Sequence, residues 1–298
     1  MFRQCLNTIT TGCLLYAAIG LGLTVISCGK PVEPSVTSEP EPAPEENELV
    51  ELVFSVNEQD TIDTKVTVTE LGNIGTVYHT ITNGTPGSNE SVEHSGSCTF
   101  VSNPVSTGYY VASGPTRRFY VSNVAPTYTA GTHQVTVSAT NDTDIVVGYS
   151  NTANTSVSLT MSHIFARIGE LSMAVQPGYD SISDVTWQIR RANSSGGTSG
   201  TYVPASGSWQ GCSGLASDTS IVTNSDLYVI PGSYVISCTY TLHLGAISET
   251  ITATANVNMV ASQVNNIYGT AVGGHAKDVT FIVTTAPWGT THNVTEAL

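Results

Sequence analysis

The chain has 298 residues, room for two domains of about 150 residues or for one long all-β sandwich. Charged residues make up 11% and hydrophobic residues 40%, a balance that excludes a disordered polyelectrolyte and permits a buried core. With 9 basic residues against 23 acidic ones, the clustered Lys and Arg that phosphate binding needs are missing, so nucleic-acid partners are excluded.

Met1-Phe2-Arg3 supplies one positive charge, and Cys13 to Ile26 is an almost unbroken apolar run, the pattern of a secretory signal over residues 1–27. The run is shorter than the roughly 20 apolar residues that cross a bilayer comfortably. Val25-Ile26-Ser27-Cys28 resembles the bacterial lipobox, in which the chain is cut before the cysteine and that cysteine is acylated. Cys28 is therefore the expected lipid attachment site, and several acyl chains, each methylene contributing about 0.8 kcal/mol, tether a protein durably. Removing residues 1–27 takes away Arg3 and no acid, leaving a chain one unit more negative than the −14 of the full sequence. Such a chain stands off an anionic membrane. Residues 28–50 read as a linker: Gly29 to Glu48 holds five prolines, six glutamates and no aromatic residue, a composition that favours extended polyproline II and self-repulsion.

From Leu49 onward the sequence alternates with period two and is rich in Val, Ile, Thr and Tyr, broken by Gly, Asn, Ser and Pro clusters. Strands are predicted at Glu51–Val56, Thr64–Thr69, Gln134–Ala139 and Ile145–Tyr149. In Val157–Phe165 the residues Val157, Leu159, Met161, His163 and Phe165 share one face, predicted to be core, with His163 hydrogen-bonded inside it. Asp184–Ile189 alternates around Trp187, and Asn193 to Gly200 reads as a long surface loop. After a Pro231-Gly232 turn, Tyr234, Ile236, Cys238, Tyr240, Leu242 and Leu244 line one face of a strand. Ile251 to Met259 forms the next, and a Gly269–Gly274 turn leads into Val279–Val283. Strands of this length and spacing predict an all-β chain of two tandem antiparallel β-sandwich domains, residues 51–156 and 157–298.

Local signatures of catalysis are missing. The seven histidines, His79, His94, His133, His163, His243, His275 and His292, form no zinc-helix motif, so no metal site and no cofactor is expected. There is no Gly-x-Ser-x-Gly elbow and no P-loop; the Ser27-x-x-Lys30 match is split by the signal cut. Asn141-Asp142-Thr143-Asp144 lacks the Gly and the closing Glu of a calcium loop and reads as a turn. An enzyme is not expected. Cys98, Cys212 and Cys238 are an odd set for an exported chain: Cys212 and Cys238 are the candidate disulfide, and three free buried thiols are the alternative.

Several segments, in order, resemble the fimbrillin-like (Mfa-like) surface lipoproteins of the Bacteroidetes. Asp144–Tyr149 followed by Val157–Ile168 is similar to the family's strand with a His-x-x-Ala-Arg/Lys centre, here His163, Ala166 and Arg167. Tyr228–Tyr234 is similar to its Pro-Gly turn, Asn265–Gly269 to its Asn-x-Ile segment, Val279–Trp288 to its final strand, and Thr64-Lys65-Val66 to a triplet near the start of its first domain. The resemblance spans nearly the whole mature chain. It implies two sandwiches of transthyretin-like form and a structural or adhesive role in type V pilus-like fimbriae on the outer membrane, held there by the lipid anchor. In polymerising members it implies that a protease removes the first strand and that the next subunit donates a strand into the opened groove. Its partners would be other fimbrial subunits, with host or bacterial surface ligands beyond them.

One departure bears on position in the fibre. Between Lys30 and Arg117 the only basic residue is Lys65, so Lys65 is the candidate cleavage site and an arginine-specific cut is not available there. The reading leans to an anchor, tip or accessory subunit over a stalk subunit. Asp60-Thr61-Ile62 and Asp180-Ser181-Ile182 resemble the O-glycosylation motif of the phylum, marking Thr61 and Ser181. The alternative function is a non-polymerising, glycan-binding outer-membrane lipoprotein with Trp187, Trp209, Tyr109 and Tyr110 as its platform.

Overall fold

The computed structural model describes residues 49–56, 72, 75–177, 181–223, 226–272 and 278–287, all within one compact unit spanning 46–298. Cys28, Thr61, Lys65 and the predicted strand Thr64–Thr69 lie outside the described residues. The regular elements are β-strands, as the alternation predicts.

Two sheets enclose the first core. One has the order β4 (Val105–Val111), β1 (Val50–Val56), β9 (Ser156–Leu159); the other runs β10 (Met161–His163), β8 (Val146–Thr152), β5 (Arg117–Ser122), β2 (Thr76–Asn83), β3 (Ser91–Thr99). Leu52, Phe54 and Val56 of β1 pack with Val77, Ile81, Phe119, Val121 and Val146 of the facing sheet. The predicted face of Val157, Leu159, Met161, His163 and Phe165 is buried throughout, although the run changes sheets after Leu159: β9 pairs with β1 and β10 with β8.

The second large core lies between the sheet β16 (Leu227–Val229), β11 (Ala166–Val175), β19 (Gln263–Val272), β20 (Asp278–Pro287) and the sheet β15 (Thr219–Ile221), β12 (Ser181–Arg191), β17 (Gly232–Leu244), β18 (Ile247–Met259). Tyr234, Ile236, Cys238 and Tyr240 are fully buried along β17, the face read from the sequence. A third, smaller core sits under the sheet β14 (Ser208–Ser213), β13 (Ser199–Val203), β7 (Gln134–Thr140), β6 (Thr127–Thr129), where Val137, Ala139, Ile145, Val147, Ile164, Phe165 and Ile230 meet. Consecutive residues Val146 and Val147 enter different cores, because neighbouring side chains of a strand point to opposite faces and β8 is covered on both.

Most pairs are antiparallel, but β1–β9 and β11–β19 are parallel. Strands so far apart in sequence are free to pair this way, since parallel pairing needs only a long crossover. Gly269 is not in a turn; β19 continues through it to Val272, and a side chain there would meet the Met173 sulfur at 2.5 Å. The stretch predicted as a surface loop after Asn193 is exposed only as far as Ser195. Gly196 and Gly197 are buried, where the Tyr234 hydroxyl accepts the Gly197 N–H at 2.8 Å and donates to the Ile230 carbonyl.

Candidate functional site

The segment His163–Ile168 carries the His-x-x-Ala-Arg centre of the sequence resemblance, and its position in the fold is that of a junction. His163 closes β10, and its Nδ1 lies 2.8 Å from Asp144 Oδ1. Ile164 and Phe165 enter the third core, where Phe165 packs against Trp209 and Tyr228. Ala166 and Ile168 enter the second large core. Ser262 fastens the segment, its Oγ donating to the His163 carbonyl at 2.6 Å and its N–H to the Phe165 carbonyl at 2.8 Å. Arg167 points outward and donates from Nε to Asp226 at 2.8 Å. The segment thus joins the second and third cores. The motif is a structural junction, with no nucleophile or convergent acids in it.

The Asn-x-Ile segment is the second junction. β11 bulges between Ile168 and Leu171 where it runs beside β19, and a bulge strands backbone groups without ladder partners. The Asn266 side chain accepts the Glu170 N–H at 2.8 Å, and Asn265 donates to the Arg167 carbonyl at 3.2 Å. Both asparagines are buried, and buried amides persist where they satisfy such groups.

β1 occupies the middle of its sheet. Val53–Val56 pair in parallel with Ser156–Leu159, and the other edge pairs antiparallel with β4. Thr107 Oγ1 donates to the Leu52 carbonyl at 2.5 Å. The Asn103 side chain grips the Val56 backbone on both sides, at 3.1 Å to the N–H and 3.0 Å to the carbonyl. Leu52, Phe54 and Val56 are no more than 2% exposed. The strand is therefore a plug: taken out, it leaves two unpaired edges facing each other and a core with three large side chains missing. Lys65 follows β1 in sequence and precedes β2. Arg117, the next basic residue, is 8% exposed; its Nε lies 2.7 Å from Glu93 and its Nη1 donates to the Pro115 carbonyl at 3.3 Å.

A buried polar cluster on the outer face of the five-stranded sheet was not legible in the sequence. Glu90, 1% exposed, accepts hydrogen bonds from Thr82 at 2.7 Å and Tyr120 at 2.5 Å, while its carbonyl accepts from the Tyr128 hydroxyl. Burial, with the Glu90 hydrogen bond next, pushes the Tyr120 phenol far above its ordinary range. This cluster fastens the β6–β7 hairpin to the sheet.

The other sequence candidates separate. Cys212 and Cys238 are both free thiols, as is Cys98. The candidate disulfide is not formed, because Cys238 is sealed in the second core and Cys212 packs on the third. Burial pushes the Cys238 thiol up to about 12. Ser181 is exposed at the start of β12. Trp187 is core, Trp209 packs edge-on to Tyr202, Tyr109 stacks on His94, and only Tyr110 of the four is freely exposed, so they form no common platform. Trp209 and Tyr202 do border an open cleft of about 620 Å³, with Asn258 and Met259 across it. Residues Asn141–Thr143 form a turn, as read.

No protein-family model and no curated protein matches the chain. The fold is shared with a fimbrial protein from Bacteroides vulgatus, whose crystal structure aligns with a TM-score of 0.51 at 11% identity, over 80% of this chain and 99% of that one. A fimbrial assembly protein from Parabacteroides distasonis aligns with a TM-score of 0.43 at 11% identity, over 79% and 95% of the two chains. At 11% identity the likeness to the Bacteroides vulgatus protein is one of fold alone.

Proposed function

We propose that this protein is a fimbrillin-like lipoprotein of the outer-membrane surface, acylated at Cys28 and built as two tandem sandwich domains, that serves fimbriae as an anchor, tip or accessory subunit. Its role is structural and adhesive, not enzymatic. It joins other subunits by strand donation into the groove that β1 fills, with Lys65 as the point where a lysine-tolerant protease frees that strand. Thr61 and the exposed Ser181 are its proposed O-glycosylation sites.

The observation that carries this reading is the position of β1, buried and paired on both edges, at the N-terminal end of a fold shared with a fimbrial protein. A groove with two open edges and an apolar floor gains hydrogen bonds and burial together when a donor enters. Donation from one subunit to the next does not close on itself and so builds a filament.

The test is the N-terminus and mass of the native protein sheared from cells and run unboiled on a gel. A lipid-modified Cys28 on a monomer supports the anchor or accessory role. An N-terminus at Val66 within heat-labile ladders supports a polymerising subunit. An unacylated Cys28 on a protein released without shearing, with no ladders, overturns both.

A further inference from the structure

β2 and β3 pair so that His79 lies directly opposite Gly96, with His94 two residues before Gly96 on the same face of β3. The fourteen residues between the histidines hid this in the sequence. His79 is 2% exposed on the face that carries Val77, Ile81 and Val121 into the first core, and neither of its ring nitrogens has a hydrogen-bonding partner among the described residues. Buried polar atoms without partners are rare in folded proteins, and an ion is one of the physical reasons for them. The two imidazoles are close, with ring centroids 5.3 Å apart. Their Nε2 atoms converge: a Cβ placed on Gly96 would lie 3.1 Å from His79 Nε2 and 3.3 Å from His94 Nε2. Glycine keeps that point free of side chain. His94 is fixed from its other side by Tyr109 of β4, stacked at 4.6 Å with the rings 3° from parallel. β3 and β4 are the end strands of their two sheets, and His94 is only half-buried, so the point is reachable from the edge of the sandwich.

We infer that His79 and His94 form a two-histidine site, over Gly96, for a borderline divalent cation such as Zn2+ or Ni2+. Neutral imidazole is the ligand such ions favour. Each ring would present its Nε2 lone pair to the ion and keep its proton on Nδ1. Burial, with the neighbouring His94 as the second cause, holds His79 down to about 4, so its ring is neutral and competent to ligate at neutral pH. Among the described residues no three His, Cys, Asp or Glu side chains converge; the rest of the coordination shell is water, an open site rather than a closed structural one. The inference does not rest on the fimbrial reading.

The experiment titrates the purified full chain with Ni2+ or Zn2+ alone at neutral pH, by calorimetry and by the imidazole resonances. His94→Ala removes one ligand at a half-buried position, and Gly96→Ala fills the meeting point while leaving both ligands in place. The expected result is saturable binding, with Ni2+ broadening the His79 and His94 signals before those of His133 and His243, and affinity at least tenfold weaker in both variants. The inference is overturned if no saturable binding occurs, or if the folded His94→Ala and Gly96→Ala proteins bind as the wild type does.

Discussion

Replacing Phe54 with Ala tests whether β1 is a true plug. The ring is 1% exposed, and an aromatic side chain of this kind removes about 150–250 Å² from water. At about 25 cal/mol per Å² that burial is about 4–6 kcal/mol, of which alanine's methyl keeps a part. The surrounding sheet is held by β4 and β9 and closes only partly over the gap, so the expected loss is about 3–5 kcal/mol, the usual range for a buried Phe→Ala change. Ser55→Ala, on the half-buried opposite face of the same strand, is the control and should cost about 0.5 kcal/mol or less. Urea unfolding of both variants gives the two figures. The same substitution in a peptide of residues 49–57, added to a chain that starts at Val66, should weaken binding by two to three and a half orders of magnitude, since about 1.4 kcal/mol is tenfold. A Phe54→Ala loss below about 1 kcal/mol refutes the reasoning, because β1 would then not be part of the core.

Asn266→Ala removes the acceptor of the Glu170 N–H in the β11 bulge and should cost about 1–3 kcal/mol in the same unfolding assay; a change within 0.5 kcal/mol, roughly the surface level, contradicts the role given to the Asn-x-Ile segment. Tyr120→Phe takes one donor from the buried Glu90 carboxylate and should cost about 1.5–3 kcal/mol, with the β6–β7 amides losing hydrogen-exchange protection first. Metal-free, the protein should lose stability as pH falls from about 6.5 to about 4. His79 takes up its proton in the unfolded chain before the folded one, so the unfolded state binds more protons in that window, at a slope of up to about 1.4 kcal/mol per pH unit. His79→Leu should flatten that slope, and an unchanged slope places its origin in other groups.

Alternation made the core faces of β9, β10, β17 and β18 legible, because a strand covered on one face must alternate whatever its partner. Partnership itself is not written locally. Nothing in Val53–Val56 specifies a parallel neighbour a hundred residues away, and nothing in Val157–Phe165 marks the change of sheet after Leu159, since both sheets face the same core. Gly269 reads as a turn residue because glycine serves two needs, positive φ and close approach, and only the position of Met173 tells which applies. Glu90 lies beside a polar turn, and its burial depends on Tyr120 and Tyr128, thirty and thirty-eight residues away. The junction at His163–Ile168 was legible because a segment that enters two cores in succession leaves few positions free.

On the proposed function, β1 also makes anchoring and polymerisation exclusive states of one molecule. Cys28 and β1 belong to the same stretch of chain, joined by the acidic, proline-rich residues 29–49, which at about 3.1 Å per residue reach about 65 Å when extended. While the chain is whole, the lipid-linked strand fills its own groove, and the tether gives it an effective concentration that a donor from another subunit must overcome. A cut at Lys65 removes the plug and the lipid together, since both lie on its N-terminal side. No intermediate state keeps the lipid and opens the groove unless β1 is displaced intact. A subunit recovered from a fibre with acylated Cys28 must therefore be the one whose groove is still filled by its own β1, at the membrane end of the filament.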